Sequence, residues 1–86
     1  MITKLKAPVS VKLNFNHKTR TASPTEIIWE GRTYKIKKIG MHHTYRDGRT
    51  LKHVFSCIAN NIFFRLVFNT ENLHWQLEEI ADGLPN

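Results

Sequence analysis

Cysteine is almost missing from this chain: Cys57 stands alone, so no internal disulfide can form, which suits a reducing compartment. Apolar runs are short. None approaches the roughly 18 residues that a membrane-spanning helix needs, and the first residues lack the apolar stretch of a signal peptide. The expected place is therefore the cytoplasm, with no membrane partner. Catalytic signatures are missing as well. There is no nucleophile elbow, phosphate-binding glycine loop, dinucleotide fingerprint or HExxH. Acidic residues are scarce in the first part of the chain: residues 1–52 hold twelve Lys/Arg against three Asp/Glu, a balance of +9. Residues 53–86 hold one Arg, Arg65, against four acids, a balance of −3. Asymmetry of this kind suggests a half that faces a polyanion.

What is present is a β rhythm. Turn residues recur about every ten positions, and apolar residues alternate between them. The 86 residues are expected to form a single β domain over 1–86, with 1–7 and 81–86 as frayed tails. Val9, Val11, Leu13 and Phe15 alternate with Ser10, Lys12, Asn14 and Asn16, the pattern of a half-buried strand. Residues 16–25 are polar and contain Pro24, so they read as the longest loop.

Four hairpins follow in the expectation. A loop at Glu30–Thr33 pairs Trp29 with Tyr34 and Ile27 with Ile36. A type I′ turn at Asp47-Gly48 sets His42 opposite His53. A similar turn at Asn60-Asn61 pairs Ala59 with Ile62, Cys57 with Phe64 and Phe55 with Leu66. A turn at Thr70-Glu71 pairs Phe68 with Leu73, Leu66 with Trp75 and Phe64 with Leu77. One face then collects Phe55, Cys57, Phe64, Leu66, Phe68, Leu73, Trp75 and Leu77. Gly40 breaks the alternation and marks a bulge or bend. The expected fold is all-β: a six-stranded antiparallel meander, curled into a strongly twisted sheet or small barrel.

Two segments also carry helix signals. Ser23-Pro24-Thr25-Glu26 has the form of a capping box, and Leu73, Leu77 and Ile80 share helical spacing ahead of Gly83. The β-branched and aromatic run Ile27-Ile28-Trp29 favours a strand at the first. At the second, a strand buries Leu73, Trp75 and Leu77 together, whereas a helix turns Trp75 away. On the opposite sheet face lie Val54, Ile58, Phe63 and Val67, with Ile28 nearby. Either the first strand or the tail covers them, or they form a homodimer or protein-partner surface.

The spacing Trp29-x-Gly31-x-x-Tyr34-x-Ile36-x-x-Ile39, then Phe63-x-x-Leu66, then Trp75-x-Leu77-x-x-Ile80, resembles a group of short uncharacterised bacterial all-β domains. The likeness covers roughly residues 26–82. The group is built on W-x-G-x-x-Y and closes with W-x-L-x-x-I. Similar segments occur at the end of some Y-family-like repair polymerase accessory proteins, so the resemblance implies a place near nucleic acid. The chain departs from the pattern where His42, His43 and His53 stand in place of Trp and Tyr, and in its N-terminal strand. No site residue carries over.

Chemistry can be sought in four places. His42 opposite His53 would bring their Cβ atoms to about 5 Å, but a structural zinc wants four ligands and no second cysteine exists. No metal or other cofactor is expected. Cys57, set among Phe55, Phe64 and Leu66, reads as a small hydrophobe. Glu78 and Glu79 are adjacent, so on a regular strand they face opposite ways. Basic residues remain: Lys18 and Arg20 in the long loop, Lys35, Lys37 and Lys38 on one strand, and Arg46, Arg49 and Lys52 around the next turn. His42, His43 and Tyr45 are interleaved with them, as rings and cations are in small β proteins that bind single strands. The function expected is a non-catalytic interaction module, with nucleic acid or another polyanion as the first candidate partner.

Overall fold

The structure of the chain, a computed structural model, describes residues 2–82. Of the expected C-terminal tail, residues 83–86 lie outside the described residues, whereas Ala81 and Asp82 are not frayed but pair within the last strand. Eight strands follow in order: β1 (Ile2–Pro8), β2 (Ser10–Asn16), β3 (Thr21–Trp29), β4 (Arg32–Lys35), β5 (Lys38–Asp47), β6 (Thr50–Ala59), β7 (Ile62–Asn69) and β8 (Trp75–Asp82). They form a five-stranded sheet in the order β1-β8-β7-β6-β5 and a three-stranded sheet in the order β2-β3-β4. All ladders are antiparallel. Among the described residues there is no helix, hence none long and apolar enough to cross a membrane.

The all-β antiparallel expectation holds, and β5 to β8 do form a meander. The count of six strands and the closed barrel do not hold. One extra strand is β1, read as a frayed tail: Ile2 to Pro8 pairs along β8, from Ile2–Ala81 to Pro8–Gln76. The other comes from a split. The expectation has only a bulge or bend at Gly40, yet the Ile36 amide donates to the Thr25 carbonyl (2.9 Å) and the Lys37 amide to the Ile58 carbonyl (2.8 Å). Consecutive residues thus bond to different sheets, and the chain crosses between layers there. The bend expected at Gly40 is present as a register shift between Ile39 and Met41.

The turns decide the register, and three of them differ from expectation. Asn60 and Asn61 both have positive φ (52° and 60°), and β6 and β7 pair as anticipated from Ala59–Ile62 through Phe55–Leu66. The β3–β4 connection is shorter than expected. Glu30 and Gly31 take the positive φ values, so Trp29 meets Arg32 and Ile27 meets Tyr34. The β5–β6 turn is centred on Gly48-Arg49, with only Gly48 at positive φ, which fits glycine at the first position of a II′-like turn. His42 therefore pairs with Phe55, and His53 with Thr44. The β7–β8 connection is longer. The Asn69 carboxamide accepts from the Glu71 amide (2.8 Å), and Leu73 turns outward at φ 64°, 66% exposed. Leu73 leaves the buried set; Phe68 meets Trp75 and Leu66 meets Leu77.

Both helix signals lose to strands. Pro24 sits in β3 opposite Leu13, next to a register shift, where β4 no longer flanks β3; its missing N–H costs no ladder bond on that side. The loop expected over 16–25 shrinks to four residues. The Asn16 side chain accepts from the Lys18 amide (2.9 Å), and β3 starts at Thr21.

The core lies between the layers. Ile27 and Tyr34 of the small sheet bury against Phe55, Cys57, Ala59, Phe64, Leu66 and Leu77 of the large one. The Tyr34 and Phe64 rings meet at 5.0 Å, tilted by 58°. Three strands cannot cover five, so part of the inner face of β5, β6 and β7 stays open.

Candidate functional site

That uncovered stretch forms a groove of about 340 Å³, within the size range of small-ligand pockets. Its floor comes from alternate residues of the large sheet: His42 of β5, His53 and Phe55 of β6, Phe68 of β7 and Trp75 of β8. Its wall comes from the β2–β3 hairpin: Leu13, Arg20, Thr21 and Ala22. The rings are layered. His42 lies on Phe55 at 4.2 Å and 11°, Phe55 approaches Trp75 at 5.7 Å, and Phe68 approaches Trp75 at 4.6 Å. His42 is exposed, so one imidazole face remains open to the groove.

The two histidines are bonded to each other. His42 Nε2 and His53 Nδ1 are 2.7 Å apart, one of them donating. They are diagonal across the ladder rather than directly opposite. Among the described residues no group of three or more His, Cys, Asp or Glu gathers to hold a metal. Burial first, then the charges of His53 and His43, lowers the His42 pKa below its ordinary 6.5. Of the charged and titratable groups, His53 of β6 and Arg20 of the β2–β3 turn line the groove with His42, and no carboxylate does. Below pH 6.5 the unfolded chain then takes up a proton at position 42 more readily than the folded one. The contribution to stability is full at neutral pH and declines on acidification until the folded-state imidazole is itself charged. Urea midpoints should fall between neutral pH and pH 5, and His42→Gln should flatten that part of the decline. Identical pH profiles for the two proteins would refute this.

Arg20 has φ 55°, a left-handed conformation that costs a side-chain-bearing residue about 1 kcal/mol or more. Glycine or asparagine suits such a position better. An arginine held there, on the wall of a ring-floored groove, is the kind of local strain that collects at binding sites.

The eight basic residues separate in space. Lys18 and Arg20 share the β2–β3 turn, and only Arg20 lines the groove. Arg46 shares the inner face of β5 with His42, and its guanidinium reaches the Arg49 carbonyl at 3.4 Å. Lys52 points to the outer face, where Asp47 holds it at 3.1 Å; that hydrogen bond raises the lysine pKa despite a small opposing effect of burial. Lys35 pairs with Glu26 across β3 and β4, and Lys37 and Lys38 sit at the crossover between sheets, at the other end of β5 from Arg46. The rings were legible only as core. Phe55, Phe68 and Trp75 carry the apolar alternation of buried strands, and nothing local says that a second sheet stops short of them.

Other candidates take different places. Cys57 is 1% exposed, its thiol contacts the Phe64 carbonyl at 3.7 Å, and burial pushes its pKa up to about 12. A thiol so held is not a nucleophile. Glu78 and Glu79 do not face opposite ways. The register shift between Arg65 and Leu66 brings both carboxylates to Arg65, at 3.4 and 3.7 Å. On the outer face, Val54 and Val67 are buried within the chain itself, 0% and 4% exposed, while Ile58 and Phe63 are half-buried. The expected first strand does not cover them: it is β2 of the small sheet, with Val11 packed on the core and Leu13 lining the groove on the other face, while β1 adds to the sheet edge beside β8. Compared with known proteins, the chain matches no family model, no curated protein and no solved structure, so what the groove holds is argued from its own side chains.

Proposed function

We propose that this protein is a non-catalytic binding module for single-stranded nucleic acid. The observation that carries the reading is Arg20 on the wall of a groove whose floor is layered with rings. Exposed bases stack on aromatic floors regardless of sequence, and cations beside the floor hold the phosphates. The excess of basic residues before position 53 supplies the field that draws a polyanion in. The strand runs past the β2–β3 turn and along β5, engaging Lys18, Arg20 and Arg46. A duplex keeps its bases stacked inward and offers the rings nothing.

Fluorescence anisotropy with labelled single-stranded and duplex oligonucleotides tests this. If three phosphates are neutralised, log affinity falls with log salt at a slope of about −2, roughly twentyfold between 50 and 200 mM. Single strands should bind tighter than duplex, and neutralising Lys35, Lys37 and Lys38 should matter less than neutralising Lys18, Arg20 and Arg46. No binding at low salt, or equal binding of duplex, would remove the reading.

A further inference from the structure

We infer that the groove is a pocket for one planar aromatic ring bearing a single anionic group. The ring lies over the open face of His42, and the anion rests on Arg20. This deepens the reading above and rests on the same site, but it makes a separate claim: the groove recognises a ring and a charge together, without a polymer.

Three features define the ligand. First, His42 stacks face to face on Phe55 at 4.2 Å and 11°, and a further plate continues that stack where a branched aliphatic body does not. Secondly, the lining holds one permanent charge, Arg20, and no carboxylate, which selects an anion and disfavours a cation. Thirdly, the volume of about 340 Å³ admits one or two fused rings with a substituent and is too small for a folded partner. The bonded histidine pair adds a donor and an acceptor at the floor. The His42 Nε2 to His53 Nδ1 bond, at 2.7 Å, uses one N–H and one lone pair of the neutral pair and leaves one of each on the outer ring nitrogens.

Two sources share this chemistry, a nucleotide and a free aromatic carboxylate, and two arms separate them. Adenosine monophosphate and naphthoate are titrated into the protein, with the His42 and His53 ring signals and the Trp75 indole followed by NMR. Adenosine and inorganic phosphate serve as the two halves. Saturable shifts at all three residues are expected with at least one of the whole ligands. Affinity should be about tenfold or more weaker for either half, the usual effect of losing a charge-assisted contact. If only the nucleotide binds, it is the source; if naphthoate binds equally, the groove also admits free aromatic acids.

Arg20→Asn removes the charge and keeps a residue that tolerates positive φ, so the turn survives. It should weaken binding about tenfold or more with no loss of thermal stability. Inorganic phosphate binding as well as the whole ligands, shifts confined to other residues, or an unaffected Arg20→Asn would each overturn the inference. Oligonucleotide binding that moves His42, His53 and Trp75, with no binding of either small ligand, overturns the inference and spares the proposed function. Ligand shifts with no oligonucleotide affinity do the reverse.

Discussion

Phe64→Ala should remove most of the stability of this protein. Phe64 is fully buried, and its ring meets Tyr34 of the opposite sheet at 5.0 Å. Truncating such a ring costs about 3–5 kcal/mol, the lost transfer energy plus a cavity that neighbours only partly fill. A chain of this length has on the order of 5 kcal/mol in total. The variant should therefore unfold at well under half the wild-type urea concentration, followed by tryptophan fluorescence. Phe68→Ala is the internal control. Phe68 is half-buried on the groove floor and borders open space, so less is lost there. Phe64→Leu should cost less than Phe64→Ala because most of the volume is kept. If Phe64→Ala stayed within about 1 kcal/mol of wild type, the two sheets would not share a core around this ring.

The same residue shows what the sequence can and cannot convey. Side-chain alternation places Phe64, Leu66, Trp75 and Leu77 on one face, and they are on one face. Alternation has a period of two, however, so a slip of two residues leaves every face unchanged. Three expected registers are off by that amount: Trp29 meets Arg32 instead of Tyr34, His42 meets Phe55 instead of His53, and Phe68 meets Trp75 instead of Leu73. Only turn geometry removes the ambiguity. Asn60-Asn61 does so because both residues accept positive φ. At Asp47-Gly48 the glycine fits either of two turns, and at Asn69 a side-chain hydrogen bond builds a longer loop that hydrophobicity does not reveal. Sheet membership is silent too. Ile36 and Ile39 are both partly buried against the core, yet the chain changes sheets between them. The groove follows from that change. It exists because a three-stranded layer meets a five-stranded one, a property of the pairing as a whole. For this reason the basic residues could be named from the sequence, but not the one, Arg20, that stands beside the rings.

Val67→Asp should unfold the protein rather than merely expose a polar group. Val67 lies on the outer face of the large sheet, where an apolar residue next to Val54 and near Phe63 invites a partner surface. It is 4% exposed in the chain alone. Its ladder neighbours are Val54 and Gln76, neither of which can neutralise a carboxylate. The permanent cations on the same face are already held, Lys52 by Asp47 and Arg65 by Glu78 and Glu79, and besides Lys52 only the imidazole of His74 shares a small cleft with Val67. A carboxylate introduced there is buried without a partner and costs about 3 kcal/mol or more. Position 54 is a poorer choice for the test. Its ladder neighbour His43 has a buried Nδ1 with no hydrogen-bond partner, which an aspartate could recruit. Phe63→Asp gives the contrast, since Phe63 is half-exposed and should lose roughly 1–2 kcal/mol. The two views of the face separate cleanly when urea unfolding and hydrodynamic size are measured together. A partner surface predicts that Val67→Asp folds normally and changes only assembly. A face closed by its own side chains predicts a large loss of stability at any protein concentration, and a Val67→Asp protein as stable as wild type would refute it.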